Sequence, residues 1–338
     1  MVESFYQNPM AKIADNLIWI IGQGGLLGSG IRTQLSLHTK TWTLWEPNTV
    51  FSWKSPALLK KQSDTALRAF CEASLNHSRW TIVWASGSGV IGTDATELTI
   101  ETHNFSYFID LLSQIFKHKF DRGSFFFASS AGGVWGGSNT FPITEATAPS
   151  AISEYGKQKL AQERILTTLV ESQPHFRLLI GRISNLYGPG QNLSKNQGLL
   201  SQLCRSALLR IPMNIFVPLT TIRDYIHSCD AAELILRSLE KIAETPYSKA
   251  LTTKIICSEE DSSISQILNY LHHLTHHEPV ISFPENKISN QHPTELVFRS
   301  RVLPDSYRCR LLLQGIDELL SFQENQLQLG KLPFPEAV

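Results

Sequence analysis

The sequence lacks a surplus of charge of either sign. Its 338 residues include 30 lysines and arginines and 30 aspartates and glutamates, so the formal net charge is zero. Proteins that bind nucleic acid or anionic membranes broadly need a basic surplus on their surface. We therefore expect neither nucleic acid nor a membrane among the partners.

Long apolar segments and paired cysteines are also missing. The early apolar run Leu17–Ile21 is far too short to cross a bilayer, and residues 1–16 contain no apolar core typical of a signal peptide. The five cysteines are widely spaced and form no CxxC pair, which favours reduced thiols. We expect a cytoplasmic protein.

A metal site is not indicated either. The segment "HHLTHH" carries His272, His273, His276 and His277, and pairs four residues apart on a helix can bind a metal. No glutamate or cysteine stands beside them in a known metal-binding pattern. We interpret the segment as a solvated helix end and expect no bound metal.

What the sequence does contain is an alternation of apolar strands and amphipathic helices. Runs such as Leu17–Ile21, Trp80–Trp84 and Phe125–Ala128 are almost continuously apolar, and helical patterns follow them. Such strands are typical of a parallel sheet covered on both faces. We predict an α/β fold with a Rossmann-like, doubly wound parallel sheet. A third strand is expected between Pro47 and Asp64, where only "TVFSW" is available.

Three glycines occupy the first turn from strand to helix. Gly22, Gly25 and Gly28 form a GxxGxxG pattern directly after the first strand. The first glycine permits a tight turn, the second lets the backbone approach a pyrophosphate, and the third lets helix and strand pack closely. The helix that begins at Leu26 and Leu27 would offer free N–H groups to the phosphates. The turn predicts a dinucleotide-binding site.

A carboxylate follows the second strand. Glu46 lies near the offset of roughly 20 residues expected for the group that binds the adenosine ribose. A carboxylate there accepts from the 2′-hydroxyl and repels a 2′-phosphate. NAD is therefore favoured over NADP as the cofactor, while a solvated strand end is the simpler alternative.

A tyrosine and a lysine stand four residues apart in "YGKQK". Tyr155 and Lys159 would share one helix face, with Cβ atoms about 6 Å apart. A phenol is a poor base at neutral pH, and a nearby ammonium stabilises its phenolate. Such a pair can move a proton while hydride passes to a nicotinamide. Ser129 and Ser130, at the end of the preceding strand, offer a hydroxyl to the substrate; a solvated helix face is the alternative.

These motifs and their order resemble the extended short-chain dehydrogenase/reductases of the NAD-dependent epimerase/dehydratase family, which act mainly on nucleotide sugars. The resemblance extends from Leu17 to Ser262 and more loosely to the end of the chain. The motifs that carry it are "GQGGLLG", "FFFASSAGGVWGGS", "FPITEATAPSAISEYGKQKLAQERIL", "RISNLYGPGQN" and "RDYIHSCDAA".

The resemblance implies roles for residues on the cofactor side. Tyr155 would be the catalytic acid and base, Lys159 its electrostatic partner, and the three glycines would hold the NAD pyrophosphate. Ser86 and Gly87, after the strand "WTIVWA", would line the cofactor. Asn104 matches an asparagine on the following helix that supports the site.

The resemblance also implies a substrate side. Asn185, in "RISN", matches a position that contacts the diphosphate of the sugar nucleotide, and Arg223, in "RDYIH", matches an arginine that binds the same diphosphate. A guanidinium suits that charge-assisted contact. Family members often form dimers, so a homodimer is expected from kinship.

Two departures from the family pattern matter. The family usually carries serine or threonine five residues before the glycine of "VYG"; here that glycine is Gly136, and Ala131 stands five residues before it. We assign the role to Ser130, with Ser129 as the alternative. The dehydratase branch then has an Asp-Glu pair, where this chain has Gly132 and Gly133. Without that acid and base, dehydration is not expected.

The pattern loosens after Gly188, which indicates a second region. We predict an NAD-binding Rossmann-like domain at 16–188, with returning segments near 215–258. Residues 189–214 and 259–335 would form a smaller C-terminal substrate-binding lobe. The expected function is NAD-dependent epimerisation of a nucleotide sugar through a transient keto sugar. The alternatives are an NAD(P)-dependent reductase or dehydrogenase of a keto nucleotide sugar and a catalytically impaired binding homologue.

Overall fold

The structure is a computed structural model that describes residues 16–38, 41–53, 55–194, 197–244, 250–277, 279–283 and 293–333. Its strands are β1 (Asn16–Ile21), β2 (Trp42–Trp45), β3 (Arg79–Trp84), β4 (Gly123–Ser130), β5 (Arg177–Ile183), β6 (Asn185–Tyr187), β7 (Met213–Asn214), β8 (Ile222–His227), β9 (Leu251–Ile256), β10 (Asp261–Ser263) and β11 (Ile281–Ser282). Its α-helices are α1 (Leu26–Leu35), α2 (Pro56–Ala73), α3 (Ala95–Ile115), α4 (Ala131–Val134), α5 (Glu154–Ser172), α6 (Leu199–Leu209), α7 (Ser228–Glu244), α8 (Ile264–Thr275) and α9 (Leu312–Gln328).

Six strands form one central sheet in the order β2-β1-β3-β4-β5-β9. Every neighbouring pair in it is parallel. Because parallel strands need crossover connections, the intervening helices cover the sheet. The predicted Rossmann-like, doubly wound parallel sheet is confirmed.

Both faces of the sheet are buried, which explains the continuous apolar runs. Along β1, Trp19 and Ile21 join an aromatic cluster with Phe70 of α2 and Phe105 of α3. The intervening side chain of Ile20 points to the opposite face and packs in a second cluster formed with α1 and α7. Successive side chains of a strand alternate between faces, so burial on both faces requires apolar residues at every position.

The prediction of a strand between Pro47 and Asp64 is wrong for the described residues of that segment. The side chain of Gln62 on α2 accepts from the Ser52 N–H at 2.8 Å and donates to the Val50 carbonyl at 3.0 Å. Phe51 packs against Trp19, with ring centroids 6.1 Å apart. The backbone groups that would join the sheet are therefore bonded to a helix side chain.

The later part of the chain builds smaller sheets. One has the order β10-β8-β6, and the other pairs β11 with β7. With α6, α8 and α9 they surround a separate apolar cluster that includes Leu203, Ile267 and Ile316. The helix α7 and the strand β9 return to the central layers. The predicted domain boundaries remain a prediction, and part of the predicted lobe lies outside the described residues.

None of the described helices combines the length and the apolar content that crossing a bilayer requires. The longest, α3, carries polar and charged residues along one side and packs its buried side chains into the aromatic cluster.

Candidate functional site

A deep cleft opens at the carboxyl edge of the central sheet. Its volume is about 1060 Å³, and its walls come from the turn after β1, the ends of β3 and β4, the start of α5 and the smaller sheets. The chain passes from β1 to β2 on one side and later to β3 on the other. Such a reversal of strand order leaves a crevice in which α/β proteins bind their ligands.

The glycine turn forms one wall of the cleft. Gly22 has a φ of +92°, and a Cβ there would lie 2.7 Å from the Ala85 carbonyl carbon at the end of β3. A Cβ on Gly28 would lie 2.2 Å from the Gly22 oxygen, whereas one on Gly25 would meet only that oxygen, at 3.4 Å. Gly22 and Gly28 are therefore required by packing, and Gly25 borders the cleft itself.

The helix after this turn directs its N-terminus toward the cleft. Leu26 and Leu27, its first residues, line the cavity. Gly25 precedes the helix without any side-chain cap, and the first turn contains no acidic residue. Unbonded N–H groups and the positive end of the helix dipole make such a terminus suited to phosphate.

The loop after β3 lies directly beside that turn, since a Cβ on Gly22 would lie 2.7 Å from the Ser86 nitrogen. Ser86 and Gly87 both line the cavity. Gly87 has a φ of +154°, and a Cβ there would lie 3.5 Å from the Lys159 Nζ and 3.0 Å from a carboxylate oxygen of Glu101. Glycine at this position allows the loop to approach the lysine closely.

Tyr155 lies in the first turn of α5, at the cleft. The Ser153 hydroxyl caps this helix by accepting from the Gly156 N–H at 3.1 Å. A Cβ on Gly156 would lie 2.0 Å from the Gly133 oxygen, so glycine allows α5 to pack against α4. This close packing sets the position of Tyr155 relative to α4 at the cleft.

Lys159 lies one turn later on the same face of α5. Its Nζ is 5.8 Å from the Tyr155 ring centroid and 5.1 Å from the Phe127 ring centroid. It donates to the Ala128 carbonyl at 3.4 Å, and only 7% of its side chain is exposed. The ammonium is therefore held beside the tyrosine, as the four-residue spacing predicts.

The two serines at the end of β4 have different partners. The Ser129 hydroxyl donates to Glu163 at 2.6 Å, and Glu163 is also bonded by Arg182 at 3.1 and 2.7 Å. The Ser130 hydroxyl accepts from the Gly133 N–H at 3.1 Å as the N-cap of α4, and Ser130 lines the cleft. Ala131 is fully buried. Of the three positions, Ser130 combines exposure to the cleft with a free hydroxyl proton.

Gly133 allows Ser130 and Tyr155 to approach each other. A Cβ on Gly133 would lie 3.1 Å from two Tyr155 ring carbons and 3.2 Å from the Ser130 oxygen. These distances are shorter than ordinary carbon contacts, which are about 3.5–4.0 Å. The position therefore has little room for the carboxylate that a dehydratase would place there.

The substrate-side residues also reach the cleft. Arg223 lines it, and its guanidinium donates to the carbonyls of Ile222 at 2.7 Å and Pro293 at 2.6 Å. Burial lowers the pKa of this guanidinium. Asn185 lines the cleft as well and donates to the Asp224 carbonyl at 2.8 Å, which leaves its own amide oxygen available.

Two titratable groups lie inside the same strand, β8. Burial raises the pKa of Asp224 to about 6, although hydrogen bonds from Ser184 and Ser258 partly offset the effect. Burial lowers the pKa of His227 to about 4, and the nearby positive charge of Arg310 lowers it further. At neutral pH the strand therefore carries an ionised Asp224 and a neutral His227.

A family model described as "NAD dependent epimerase/dehydratase family" matches residues 18–251 of the sequence. The chain belongs to this family. The resemblance stated from the sequence motifs is therefore confirmed.

Individual relatives come from both epimerases and reductases. The chain is 27% identical over 208 residues to a dTDP-4-dehydro-6-deoxyglucose reductase of Escherichia coli, covering 61% of this chain and 63% of the relative. It is 27% identical over 177 residues to a UDP-glucose 4-epimerase of Dictyostelium discoideum, covering 48% and 51%. The match thus spans less than two thirds of either relative.

The fold extends over nearly the whole of a solved structure. A UDP-glucuronic acid 4-epimerase from Bacillus cereus, in complex with UDP-glucuronic acid and NAD, superposes with a TM-score of 0.71. The sequence identity is 18%, and the match covers 92% of this chain and 99% of that one. At this identity the likeness concerns the fold.

Four residues predicted for the site are not among the described cleft walls: Gly22 and Gly28, which are required by packing, and Glu46 and Asn104. Glu46 follows β2 directly and is half exposed, 3.9 Å from the Arg32 guanidinium on α1. Asn104 is half-buried on α3. One turn earlier on that helix, Glu101 contacts both the loop after β3 and Lys159. Sequence reasoning missed Glu101, because its partners are distant in the chain.

Arg205 is a second residue that sequence reasoning missed. It lies on α6, lines the cleft and is 8% exposed, and burial lowers the pKa of its guanidinium. It donates to the carbonyls of Leu193 at 3.4 Å and Pro333 at 3.3 Å. A single cation within the apolar helix "LLSQLCRSALL" is the signal that would have indicated it.

Proposed function

We propose that this protein is an NAD-dependent nucleotide-sugar epimerase that oxidises a sugar hydroxyl transiently and returns hydride to the opposite face of the keto sugar. The observation that carries the proposal is the convergence of Tyr155, Lys159 and Ser130 on the cleft beside the glycine turn. This arrangement supplies a proton-transfer group next to a dinucleotide crevice.

The residues present fit a nicotinamide dinucleotide. Gly25, Leu26 and Leu27 would hold the pyrophosphate at the start of α1, where Gly25 itself presents no side chain. Ser86 and Gly87 would flank the nicotinamide half, and Lys159 would bind its ribose. When bound, the cofactor supplies the hydride acceptor for the sugar carbon.

NAD is proposed over NADP. Glu46 stands at the end of β2, where its carboxylate would accept from the adenosine 2′-hydroxyl and repel a 2′-phosphate. The Arg32 guanidinium, 3.9 Å away, partly offsets this preference. Asn104 is proposed to support the site from α3.

Tyr155 is proposed to be the acid and base. As the sugar carbon is oxidised, the phenolate would take the proton of the hydroxyl, and it would return that proton when the keto group is reduced. The Lys159 ammonium, 5.8 Å from the ring centroid, would stabilise the phenolate. The Ser130 hydroxyl would donate to the same sugar oxygen and fix its position.

The charge of the cleft supports a doubly anionic sugar diphosphate as the substrate. Lys159, Arg205 and Arg223 are the charged side chains among the described residues of its walls, and none of those wall residues is an aspartate or glutamate. A cavity with one sign of charge attracts ligands of the opposite sign. We assign diphosphate binding to Arg223 and Asn185.

A reductase of a keto nucleotide sugar is the second candidate, favoured by the similarity to the dTDP-4-dehydro-6-deoxyglucose reductase. The two reactions differ in their cofactor balance. An epimerase regenerates NAD in every cycle, whereas a reductase consumes one NAD(P)H for each product molecule.

The test is incubation of the purified protein with UDP-, GDP-, dTDP- and CDP-sugars and catalytic NAD, with the products identified by NMR. The proposal expects a sugar epimer to accumulate without net change in NADH absorbance. Stoichiometric loss of NAD(P)H would instead establish the reductase. Absence of turnover with every sugar, in the presence of either cofactor, would contradict both.

A further inference from the structure

The carboxylate of Glu101 links two parts of the site. One of its oxygens accepts from the N–H groups of Ser88 at 3.0 Å and Gly89 at 3.3 Å, in the loop that follows β3. Its other oxygen lies 4.0 Å from the Lys159 Nζ. The side chain of Glu101 is 22% exposed, so water screens this contact only partly.

The glycines of the loop allow this approach. A Cβ on Gly87 would lie 3.0 Å from one Glu101 oxygen, and a Cβ on Gly89 would lie 3.5 Å from the Tyr155 ring and 3.7 Å from the other Glu101 oxygen. The Glu101 carboxylate therefore lies beside the same loop glycines as Tyr155 and Lys159, the proton-transfer couple. It lies just outside the cleft walls rather than within them.

The other charges near the couple are already paired or distant. Glu163, one turn beyond Lys159 on α5, is bonded to Arg182 of β5 and to Ser129 of β4. The loop at residues 86–89 and the last residues of β4 carry no charged side chain. On α3, Glu97 and His103 are exposed, and neither lines the cleft. Glu101 is therefore the carboxylate that acts on Lys159.

We propose that Glu101 is a positioning residue for the Tyr155–Lys159 couple. Its carboxylate fixes the loop that borders the cofactor and holds the Lys159 ammonium, and its negative charge offsets part of the lysine's effect on the phenolate. The inference rests on the proposed function, because that function gives Tyr155 and Lys159 their role in proton transfer. The contacts of Glu101 with Lys159 and with the loop are independent of that role.

The variant Glu101→Gln separates the charge from the hydrogen bonds. Glutamine keeps an amide oxygen that can accept from Ser88 and Gly89, but it removes the negative charge beside Lys159. The phenolate of Tyr155 then experiences the full charge of the lysine. Its titration midpoint should move to lower pH, because removal of a nearby negative charge stabilises the phenolate.

The first experiment measures that midpoint without any turnover. Tyrosinate absorbance near 295 nm is titrated in the wild type and in Glu101→Gln, and each curve is corrected with the matching Tyr155→Phe protein. Glu97→Gln, which removes a charge from the exposed face of the same helix, is the control and should leave the midpoint unchanged. An unchanged or higher midpoint in Glu101→Gln would overturn the proposal.

The second experiment tests whether Glu101 fixes the loop that follows β3. Glu101→Leu removes the acceptor as well as the charge, so its affinity for NAD should fall at least tenfold in a calorimetric titration. Glu101→Gln should stay within threefold of the wild type. Equal affinities for the leucine and glutamine variants would contradict the role in fixing the loop. Inactivity toward every nucleotide sugar would end the proposed function but leave both measurements decisive for Glu101.

Discussion

The cavities at the two ends of the central sheet differ in the signs of the charged side chains that line them. At the carboxyl end, Lys159, Arg205 and Arg223 line a cleft of about 1060 Å³ without a carboxylate among its described wall residues. At the amino end, a cavity of about 290 Å³ contains arginines together with Glu240 and Glu244. The same six strands supply both ends, so the sheet itself does not explain the difference.

Two features produce that difference. In a parallel sheet the helices begin at the carboxyl ends of the strands, so the N-terminus of α1 faces the large cleft and its positive dipole end adds to the cations. At the amino end the two glutamates of α7 offset most of the charge of the three arginines; Trp42 donates to Glu240 at 3.3 Å there. Unbalanced positive charge therefore marks the end that is suited to an anionic ligand.

The largest effect is expected at Tyr155. Tyr155→Phe removes the proton-transfer group but keeps the ring, so kcat should fall about 10²- to 10⁴-fold. Steady-state rates with the sugar identified by the panel measure this change. Tyr107→Phe, on α3 and outside the cleft walls, is the matched control and should retain full activity. A Tyr155→Phe enzyme with normal kcat would remove the phenol from the mechanism.

The pH dependence of stability should reveal opposing groups on β8. The pKa of Asp224 is raised from 3.8 to about 6 in the folded protein, so its contribution to stability is lost as pH rises from 4 to 6. The pKa of His227 is lowered from 6.5 to about 4, so its contribution is gained as pH rises over nearly the same range. Each amounts to roughly 3 kcal/mol.

Thermal melting of single variants between pH 4.5 and 7 measures these contributions separately. The melting temperature of Asp224→Asn should rise with pH relative to the wild type, because Asp224 no longer opposes the effect of His227. That of His227→Asn should fall with pH relative to the wild type, because His227 no longer opposes the effect of Asp224. Parallel profiles for the two variants would show that these groups do not titrate as described.

An arginine at each end of the sheet tests the comparison directly. Arg223→Ala should raise KM for the nucleotide sugar about 10- to 100-fold, because a charge-assisted contact to a diphosphate is lost. Arg122→Ala removes the same charge at the amino end and should leave KM within twofold. Equal effects of the two substitutions would mean that the cleft attracts its ligand by overall charge alone.

A smaller effect is expected from two serines on one strand. Ser130→Ala, at the carboxyl end of β4, should lower kcat about tenfold, consistent with loss of one hydrogen bond to the reacting oxygen. Ser124→Ala, at the amino end, loses a bond of 2.7 Å to Thr81 and should leave kcat unchanged. Recovery of kcat in Ser130→Thr would assign the effect to the hydroxyl. Loss of activity in Ser129→Ala but not in Ser130→Ala would favour the alternative serine.

The sequence predicted those parts of the fold whose determinants are local. The strand and glycine turn at Leu17–Gly28 were found as expected, and the helix expected to carry Tyr155 and Lys159 is α5, Glu154–Ser172. The strand expected after Pro47 was not, because Gln62 from the following helix bonds its backbone groups. A contact between a loop and a later helix leaves no periodic pattern in the sequence.

The candidate site divides in the same way. Tyr155 and Lys159 share a helix face by their spacing alone, which the four-residue interval predicts. Glu101 and Arg205 are held at the cleft by partners that are distant in the chain, such as Lys159 and Pro333. Their identification required the packing of α3 against α5 and of α6 against the C-terminal segment.

The most direct test of the central claim is epimerisation in D₂O with catalytic NAD, followed by ¹H NMR of the inverted carbon. Hydride removed and returned within one active site should give a product that retains hydrogen at that carbon, with no NADH released. Deuterium from solvent at the inverted carbon, or NADH accumulating in proportion to product, would contradict the account.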